Sequence, residues 1–286
     1  QPLWSRFPET YGEDVYIGKI MGVAAIQGYE EDGLNNSTAV ASCMKHYLGY
    51  SASRTGKDRT PIYMPEIEMR EYYLPQFRAA VKAGSSSIMI NSSDINGVPV
   101  HASKVLLTDL LRKELGFEGL IVTDWEDIIR LHSIHKVATT PRAAVVMAIN
   151  AGIDMSMVPG DYSFFDLLKE AVEKKEVPIS RINDAVRRIL KLKYKVGLFE
   201  NAYAEENATA NFGKAAYQTL ALDAAHEAIT LVKNNNNILP LAKDKKVLIM
   251  GPTAQSIAVL NGSWSYTWQG NQEEWYPKGS KTFVEA

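Results

Sequence analysis

Of the 286 residues one, Cys43, is a cysteine, so an intrachain disulfide framework is excluded. There is no long hydrophobic run: nothing approaches the roughly 18 apolar residues of a membrane-spanning helix. There is no excess of positive charge either. Lysines and arginines total 31 against 33 acids, a net −2. With no basic stretch, the electrostatic attraction that carries non-specific nucleic-acid binding is missing. No Gly-x-Gly-x-x-Gly or Walker pattern follows any apolar run, which disfavours a nucleotide-binding sheet. His101, His132 and His135 lack the spacing of zinc ligands, and no metal or other cofactor is expected. No initiator Met precedes Gln1 and no signal-peptide pattern follows it, so the chain reads as a piece cut from something longer. The remaining composition, 46% hydrophobic and 22% charged, is that of a folded globular protein.

Apolar runs and helical spacings alternate along the chain. A helix is expected from Asp14, a plausible N-cap, to about Tyr29, followed by a polar loop over 31–38. Ala39 to Met44 reads as a strand with Lys45 and His46 at its carboxyl end, and 49–61 as a Gly/Ser/Arg-rich loop. An amphipathic helix from Pro65 to Ala83 is closed by Gly84. The pattern then repeats: strand 87–90, helix 103–115, strand 120–123, helix 140–151 capped by Thr140, strand 153–155, and helices near 162–175 and 180–195. Alternation of this kind is the mark of a parallel α/β architecture, and polar residues cluster after each strand. The fold expected is α/β, a partial (β/α)8 TIM-like barrel over 1–198. A linker and connecting helix would occupy 199–236, and Lys246 to Gly251 would be the first buried strand of a second α/β sandwich domain over 237–286.

The stretch Gly116 to Ile128 (GFEGLIVTDWEDI) carries the sharpest chemical signal. Leu120, Ile121 and Val122 form a run buried on both faces that ends in Thr123, Asp124 and Trp125. A carboxylate at the carboxyl end of a buried parallel strand stands where α/β folds keep their chemistry. The same residue would equally serve to cap the next helix, and the local pattern does not choose. Lys45 and His46 suit anion binding, Schiff-base or acid–base work, or a surface Lys and a packed His. Arg6, beside Trp4 and close to Glu9, Glu13 and Asp14, reads as a solvated or paired arginine. Asp94 and Asp154 read best as caps. Trp264 and Trp268, flanked by Gly, Ser and Thr, suit either sugar stacking or a buried aromatic corner.

Taken together these segments resemble glycoside hydrolase family three. GFEGLIVTDWEDI resembles its nucleophile signature around Ser/Thr-Asp-Trp, WSRFPETYGED its Trp-(Gly/Ser)-Arg-x-x-Glu segment, and CMKHYLGY its Lys-His segment. IMINSSDINGVPVHASKVLLTDLLRKELGF resembles the strand and helix before the nucleophile, and RINDAVRRILKLKYKVGLF the end of the barrel domain. LVKNNNNILPL, KVLIMGPTA and GSWSYTWQG resemble the start of the second domain and its tryptophan-bearing loop. The order matches along nearly the whole chain.

The resemblance implies a retaining glycosidase that removes terminal non-reducing β-D-glucosyl residues from an oligosaccharide or glucoside. Asp124 would be the nucleophile. Arg6, Lys45 and His46 would bind sugar hydroxyls, and Trp125 and Trp268 would flank the neighbouring subsite. A β-xylosidase-type hydrolase and a non-catalytic carbohydrate-binding fragment are the alternatives, and a Lys45 Schiff-base aldolase is a third. Ser92 stands where the family often has Tyr or Phe. KHYLGYS lacks the Lys-His-x-Pro-Gly-His loop of relatives that remove N-acetylglucosamine. The family's general acid/base glutamate and its early barrel strands are expected to lie outside these residues, Glu273 and Glu274 having nothing that marks them for the role. No nucleic-acid partner and no membrane span are implied. Self-association is left open, and family habit suggests a periplasmic or secreted enzyme.

Overall fold

A computed structural model describes residues 2–30, 33–203 and 207–286. It divides into two units, residues 1–206 and 207–286.

Among its described residues the first unit is built on four parallel strands: β1 (Cys43–Tyr47), β2 (Ser87–Ile90), β5 (Leu120–Trp125) and β6 (Met155–Met157), adjacent in that order. Cys43 pairs with Ser87, Ser87 with Leu120 and Val122 with Met155. A short antiparallel hairpin, β3 (Asp94–Ile95) and β4 (Val98–Pro99), stands apart. Its turn is closed by the Gly97 N–H donating to Asp94 Oδ1 at 3.1 Å, so Asp94 serves a hairpin turn rather than capping a helix.

Parallel strands need long crossovers, and helices supply them. Strand β1 leads through α2 (Glu66–Glu68), a widened turn over Met69–Tyr73 and α3 (Leu74–Lys82) into β2. From the hairpin the chain runs through a wide-wound helix, Val105–Glu114, to β5. Helices α4 (Asp127–Ser133) and α5 (Pro141–Ala151) precede β6, and α6 (Ser163–Glu173) and α7 (Ile179–Lys195) follow it. The N-terminal helix α1 (Val15–Glu30) packs on α3. This is part of a TIM-like barrel with helices outside the sheet.

The core forms where the two periodicities meet. Ile88, Ile90 and Ile121 of the strands are fully buried against Leu107 and Leu111 of the wide helix and Ile149 of α5. Each such side chain contributes about 1.5–3 kcal/mol when removed from water. Helix ends follow the sequence signals. Asp14 Oδ1 accepts the Tyr16 N–H at 2.7 Å, and Thr140 Oγ1 accepts the Ala143 N–H at 3.1 Å, with Pro141 in the first turn.

Four further expectations are corrected. The first strand lies at Cys43–Tyr47 rather than 39–44, so Lys45 and His46 stand within it. Pairing with Ser87 and Ile88 of β2 sets its register, and the apolar run of 39–42 only leads into it. The strand expected at 153–155 is Met155–Met157, because Ile153 and Asp154 precede the pairing with Val122. Asp154 is not a cap: it lies at the amino end of β6 in a buried ion cluster. Its Oδ2 meets Arg112 at 2.6 Å and the Ile121 N–H at 3.0 Å, and its Oδ1 meets Arg181 at 2.6 Å. In the second unit, Lys246 to Gly251 forms no strand, and Leu248 and Met250 are largely exposed. An isolated extended run leaves its backbone groups without a ladder, and none of the described residues of that unit provides a neighbouring strand.

The expected polar loop 31–38 is described from Gly33 onward, and 204–206 of the expected linker lie outside the described residues. The second unit contains α8 (Ala215–Ala228), which buries none of its residues, and α9 (Ile257–Asn261). No helix among the described residues is long and apolar enough to cross a membrane.

Candidate active site

Strand β5 is buried from Leu120 through Thr123 and then opens. The Asp124 side chain retains 15% exposure and Trp125 is half-exposed. The chain leaves the sheet because Glu126 adopts a left-handed backbone, φ 59°, while its N–H donates to the Met157 carbonyl of β6 at 3.0 Å. A non-glycine residue in that region costs about 1–2 kcal/mol, and here it turns the strand directly into α4. Asp124 therefore does not cap the following helix: Glu126 holds the cap position and makes no side-chain cap bond.

Asp124 is held from several sides. Its Oδ1 accepts the backbone N–H of Trp125 at 2.6 Å and lies 3.4 Å from the Arg59 guanidinium. Its Oδ2 accepts Ser92 Oγ at 3.2 Å and lies 3.4 Å from His46 Nε2. Burial alone would push this carboxyl up. The Trp125 N–H, His46, Arg59 and Ser92 outweigh burial and hold it below its ordinary value. Asp124 is thus an anchored anion at the open end of a parallel sheet.

His46 is buried on β1, and its ring meets Tyr50 edge-on at 4.9 Å. Burial first, then the neighbouring Arg6 cation, push its pKa down to about 3, against the opposing pull of Asp124. At neutral pH the ring is uncharged and faces the carboxylate as a neutral hydrogen-bonding group. Arg6 forks onto Glu9 at 2.8 and 2.9 Å and approaches Asp58 at 3.7 Å. Its guanidinium lies over Trp4 and Tyr50, 5.7 and 5.6 Å from the ring centres. Arg6 is therefore paired, as its acidic neighbours suggested, and also sits beside His46. Lys45 is exposed and shares with His46, Trp4, Glu9 and Tyr50 the wall of a cavity of about 490 Å³. A larger cavity of about 940 Å³, between the 33–39 loop and the end of α7, involves none of these residues. Neither cavity includes Asp124.

The structure thus brings Arg6, His46, Asp124 and Trp125 into one neighbourhood, with Lys45 on its flank. Trp268 belongs to the second unit, where it is exposed and its carbonyl accepts the Trp264 N–H at 3.0 Å. Sequence reading missed three members. Tyr50 meets Trp4 edge-on with ring centres 5.4 Å apart, its hydroxyl beside Asp58 and Ser92. Asp127 is 2% exposed. Arg59 NH1 donates to Asp127 Oδ1 at 2.6 Å while NH2 faces Asp124. Only Asp127 had a local signal, its place three residues after Asp124.

An anchored carboxylate at a strand end, with a neutral histidine and an arginine fork beside it, stands at the carboxyl edge of a barrel-type parallel sheet, the edge where this class of fold carries its functional loops. The chain matches the Glycosyl hydrolase family 3 N terminal domain over residues 1–192, and it belongs to that family. It is 48% identical over 284 residues to a lysosomal beta glucosidase of Dictyostelium discoideum, covering 96% of this chain and 35% of that protein. It is 37% identical over 272 residues to a beta-xylosidase of Formosa agariphila, covering 91% and 38%. Over 277 residues it is 32% identical to a periplasmic beta-glucosidase of Salmonella typhimurium, covering 95% and 36%. A beta-glucosidase from Listeria innocua, crystallised in complex with glucose, superposes with a TM-score of 0.87 at 31% identity, covering 96% and 37%. The chain spans little more than a third of the length of these relatives.

Proposed function

We propose that this chain carries the nucleophile of a retaining β-glycoside hydrolase. The observation that carries the reading is Asp124: ionised, tethered through Oδ1 to the Trp125 N–H, and open on its Oδ2 side to weaker contacts. In the first step an Asp124 oxygen bonds to the anomeric carbon as the glycosidic C–O bond breaks, and the leaving oxygen takes a proton from an acid. In the second step water attacks the same carbon and gives its proton to the group that served as acid, and the bond from that carbon to Asp124 breaks to restore the carboxylate. Arg6, Lys45 and His46 serve the sugar hydroxyls. Trp125, exposed on the first unit, supplies an aromatic face for sugar, and Trp268, exposed on the second, is a further aromatic sugar-binding candidate.

The acid has a separate source in this reading. Asp127 is pinned by Arg59 and buried, and Asp58 lies between Arg6 and Arg59. Both carboxylates are engaged by arginines, and we assign the acid to neither. Terminal β-D-glucosyl groups are the substrate favoured by the Dictyostelium and Salmonella relatives, and the Formosa relative supports a xylosyl group as the second reading. The Salmonella relative also supports a periplasmic or secreted location. The linker and connecting helix remain proposed at 199–236, with a second domain beginning near 237.

A 2-deoxy-2-fluoro-β-glucosyl donor with a dinitrophenolate leaving group needs no acid for its first step. It is expected to add one fluoroglucosyl unit, mapped to Asp124 by peptide mass spectrometry, and the 2-fluoroxylosyl donor is expected to label more slowly. Label on another residue overturns the assignment of Asp124. Faster labelling by the xylosyl donor reverses the sugar preference.

A further inference from the structure

Arg59 combines three features that no local pattern announced. Its backbone is left-handed, φ 57°, an uncommon state for a long side chain that persists where surrounding contacts hold it. Its guanidinium reaches acceptors on both sides of the β5–α4 corner: Asp127 Oδ1 at 2.6 Å, Asp124 Oδ1 at 3.4 Å and the Trp125 carbonyl at 3.5 Å. Its Nε also lies 3.8 Å from Asp58. The short contact is to the buried acid and the long one to the half-open acid.

We propose that Arg59 is a positioning residue for Asp124, anchored by Asp127, which fixes Oδ1 as the held oxygen of the carboxylate and leaves Oδ2 to attack. This rests on the reading of Asp124 as nucleophile. The anchor explains why a second acid lies so near the first. A carboxylate nucleophile loses its charge when it becomes an ester and regains it on hydrolysis. An arginine held by Asp124 alone would lose its partner at the first step. Held at 2.6 Å by Asp127, whose side chain is 2% exposed, Arg59 stays in place through both steps. It is then already oriented toward the charge that returns to Asp124 as the ester breaks. Oδ1 carries the short Trp125 bond and the Arg59 contact, while Oδ2 has only Ser92 and His46 at 3.2 and 3.4 Å. The weakly bonded oxygen is the one with electron density free for the sugar.

Other charged groups surround this pair: His46 and Lys45 from β1, Arg6 and Glu9 from the N-terminal segment, Asp58 from the Arg59 loop, His101 from the turn after β4, and Arg130 from α4. The test must therefore read Asp124 itself. The probe is carboxyl-¹³C-aspartate incorporated throughout the protein, with the Asp124 resonance assigned by its disappearance in Asp124→Asn. Arg59→Gln, at a partly exposed loop position, is expected to raise the proton affinity of Asp124 at least tenfold, seen as an upward shift of its titration midpoint by about one pH unit or more. Arg59→Lys restores the charge but not the fork, and is expected to recover less than half of that shift.

Asp127→Leu separates anchoring from charge. Removing a negative neighbour would by itself lower the Asp124 midpoint, whereas losing the anchor frees Arg59 and raises it. The proposal requires the rise. An Asp124 midpoint unmoved in Arg59→Gln, full recovery by Arg59→Lys, or a fall in Asp127→Leu overturns it. The carboxyl titration is measurable whatever Asp124 does chemically. Fluoro-sugar label on another residue, alongside the expected shifts, would remove the nucleophile reading and leave the arginine–carboxylate device standing.

Discussion

Asp154 offers the most direct test of how the barrel is held together at the end away from the site. Its carboxylate has no exposed side-chain surface and takes two charge-assisted bonds of 2.6 Å, from Arg112 and Arg181, plus the Ile121 N–H. Replacing Asp154 with Asn keeps the volume and removes the charge. Breaking a buried ion pair from one side typically costs about 3–5 kcal/mol, because the partner stays buried and uncompensated. Two features place this site at the low end. Arg112 still donates to the Phe117 and Gly119 carbonyls and lies over the Phe117 ring, and Arg181 still donates to the Ile149 and Ile153 carbonyls. Asp184 also stays beside Arg181 and Arg188. The expectation is a loss of about 3 kcal/mol. For a unit of this size that lowers Tm by about 6–12 °C at roughly 2–4 °C per kcal/mol. Calorimetry with parallel urea titration measures it. The cluster sits at the amino ends of β5 and β6, so the Asp124 carboxyl titration should be unchanged in the same variant. A loss under about 1 kcal/mol would refute the reasoning and mean that the two arginines find equal partners elsewhere.

Two further outcomes follow from the geometry of the site. His46 has a folded pKa near 3, below the ordinary value of about 6.5, so it contributes stability that is complete above about pH 6.5 and lost as the pH falls toward 3; Asp124, also depressed, loses its contribution below the ordinary carboxylate range. The urea midpoint should therefore fall steadily from pH 6.5 to 4, His46→Gln should flatten that slope, and a wild-type midpoint constant over the window would contradict the burial of a neutral ring. Gly56 has φ 69°, and a β-carbon there would stand 1.9 Å from the Leu3 carbonyl oxygen, where the Ser5 N–H also bonds to the Gly56 carbonyl at 2.8 Å. Gly56→Ala should detach the segment carrying Trp4 and Arg6 at a cost of about 1–3 kcal/mol, exposing it to limited proteolysis; unchanged protease resistance would show that the loop gives way instead.

Much of the sheet was legible because buried parallel strands write themselves as short apolar runs. Ser87–Ile90 stands where expected, and Leu120–Thr123 is extended only by Asp124 and Trp125. The helix ends at Asp14 and Thr140 were legible because a cap is a local hydrogen bond between neighbours. Register was not local. The position of β1 depends on which residues of β2 it faces, and apolarity alone placed it too early. Arg59 was illegible for the same reason. Its loop holds Arg54, Lys57 and Arg59, and nothing nearby in sequence says which cation reaches an acid on α4.

Asp124 and Asp154 read almost alike in sequence, each an acid beside a short apolar run, yet the fold gives them opposite characters. Asp154 is saturated: two arginines and a backbone N–H take its oxygens at 2.6 to 3.0 Å, and no surface remains for anything else. A carboxylate satisfied in this way can hold helices and strands together, but a substrate would have to displace a buried ion pair to reach it. Asp124 has one short bond, on Oδ1, and its remaining partners stand at 3.2 to 3.4 Å. They are near enough to keep it charged and too loose to consume its second oxygen. Chemistry needs that incomplete satisfaction, because an attacking atom must keep a lone pair unspent. Which acid ends up in which state is decided by the end of the strand it occupies and by arginines drawn from distant helices and loops. For that reason Asp124 could be singled out as a candidate through its segment's resemblance to a family signature, while the structural role of Asp154 emerged only from packing.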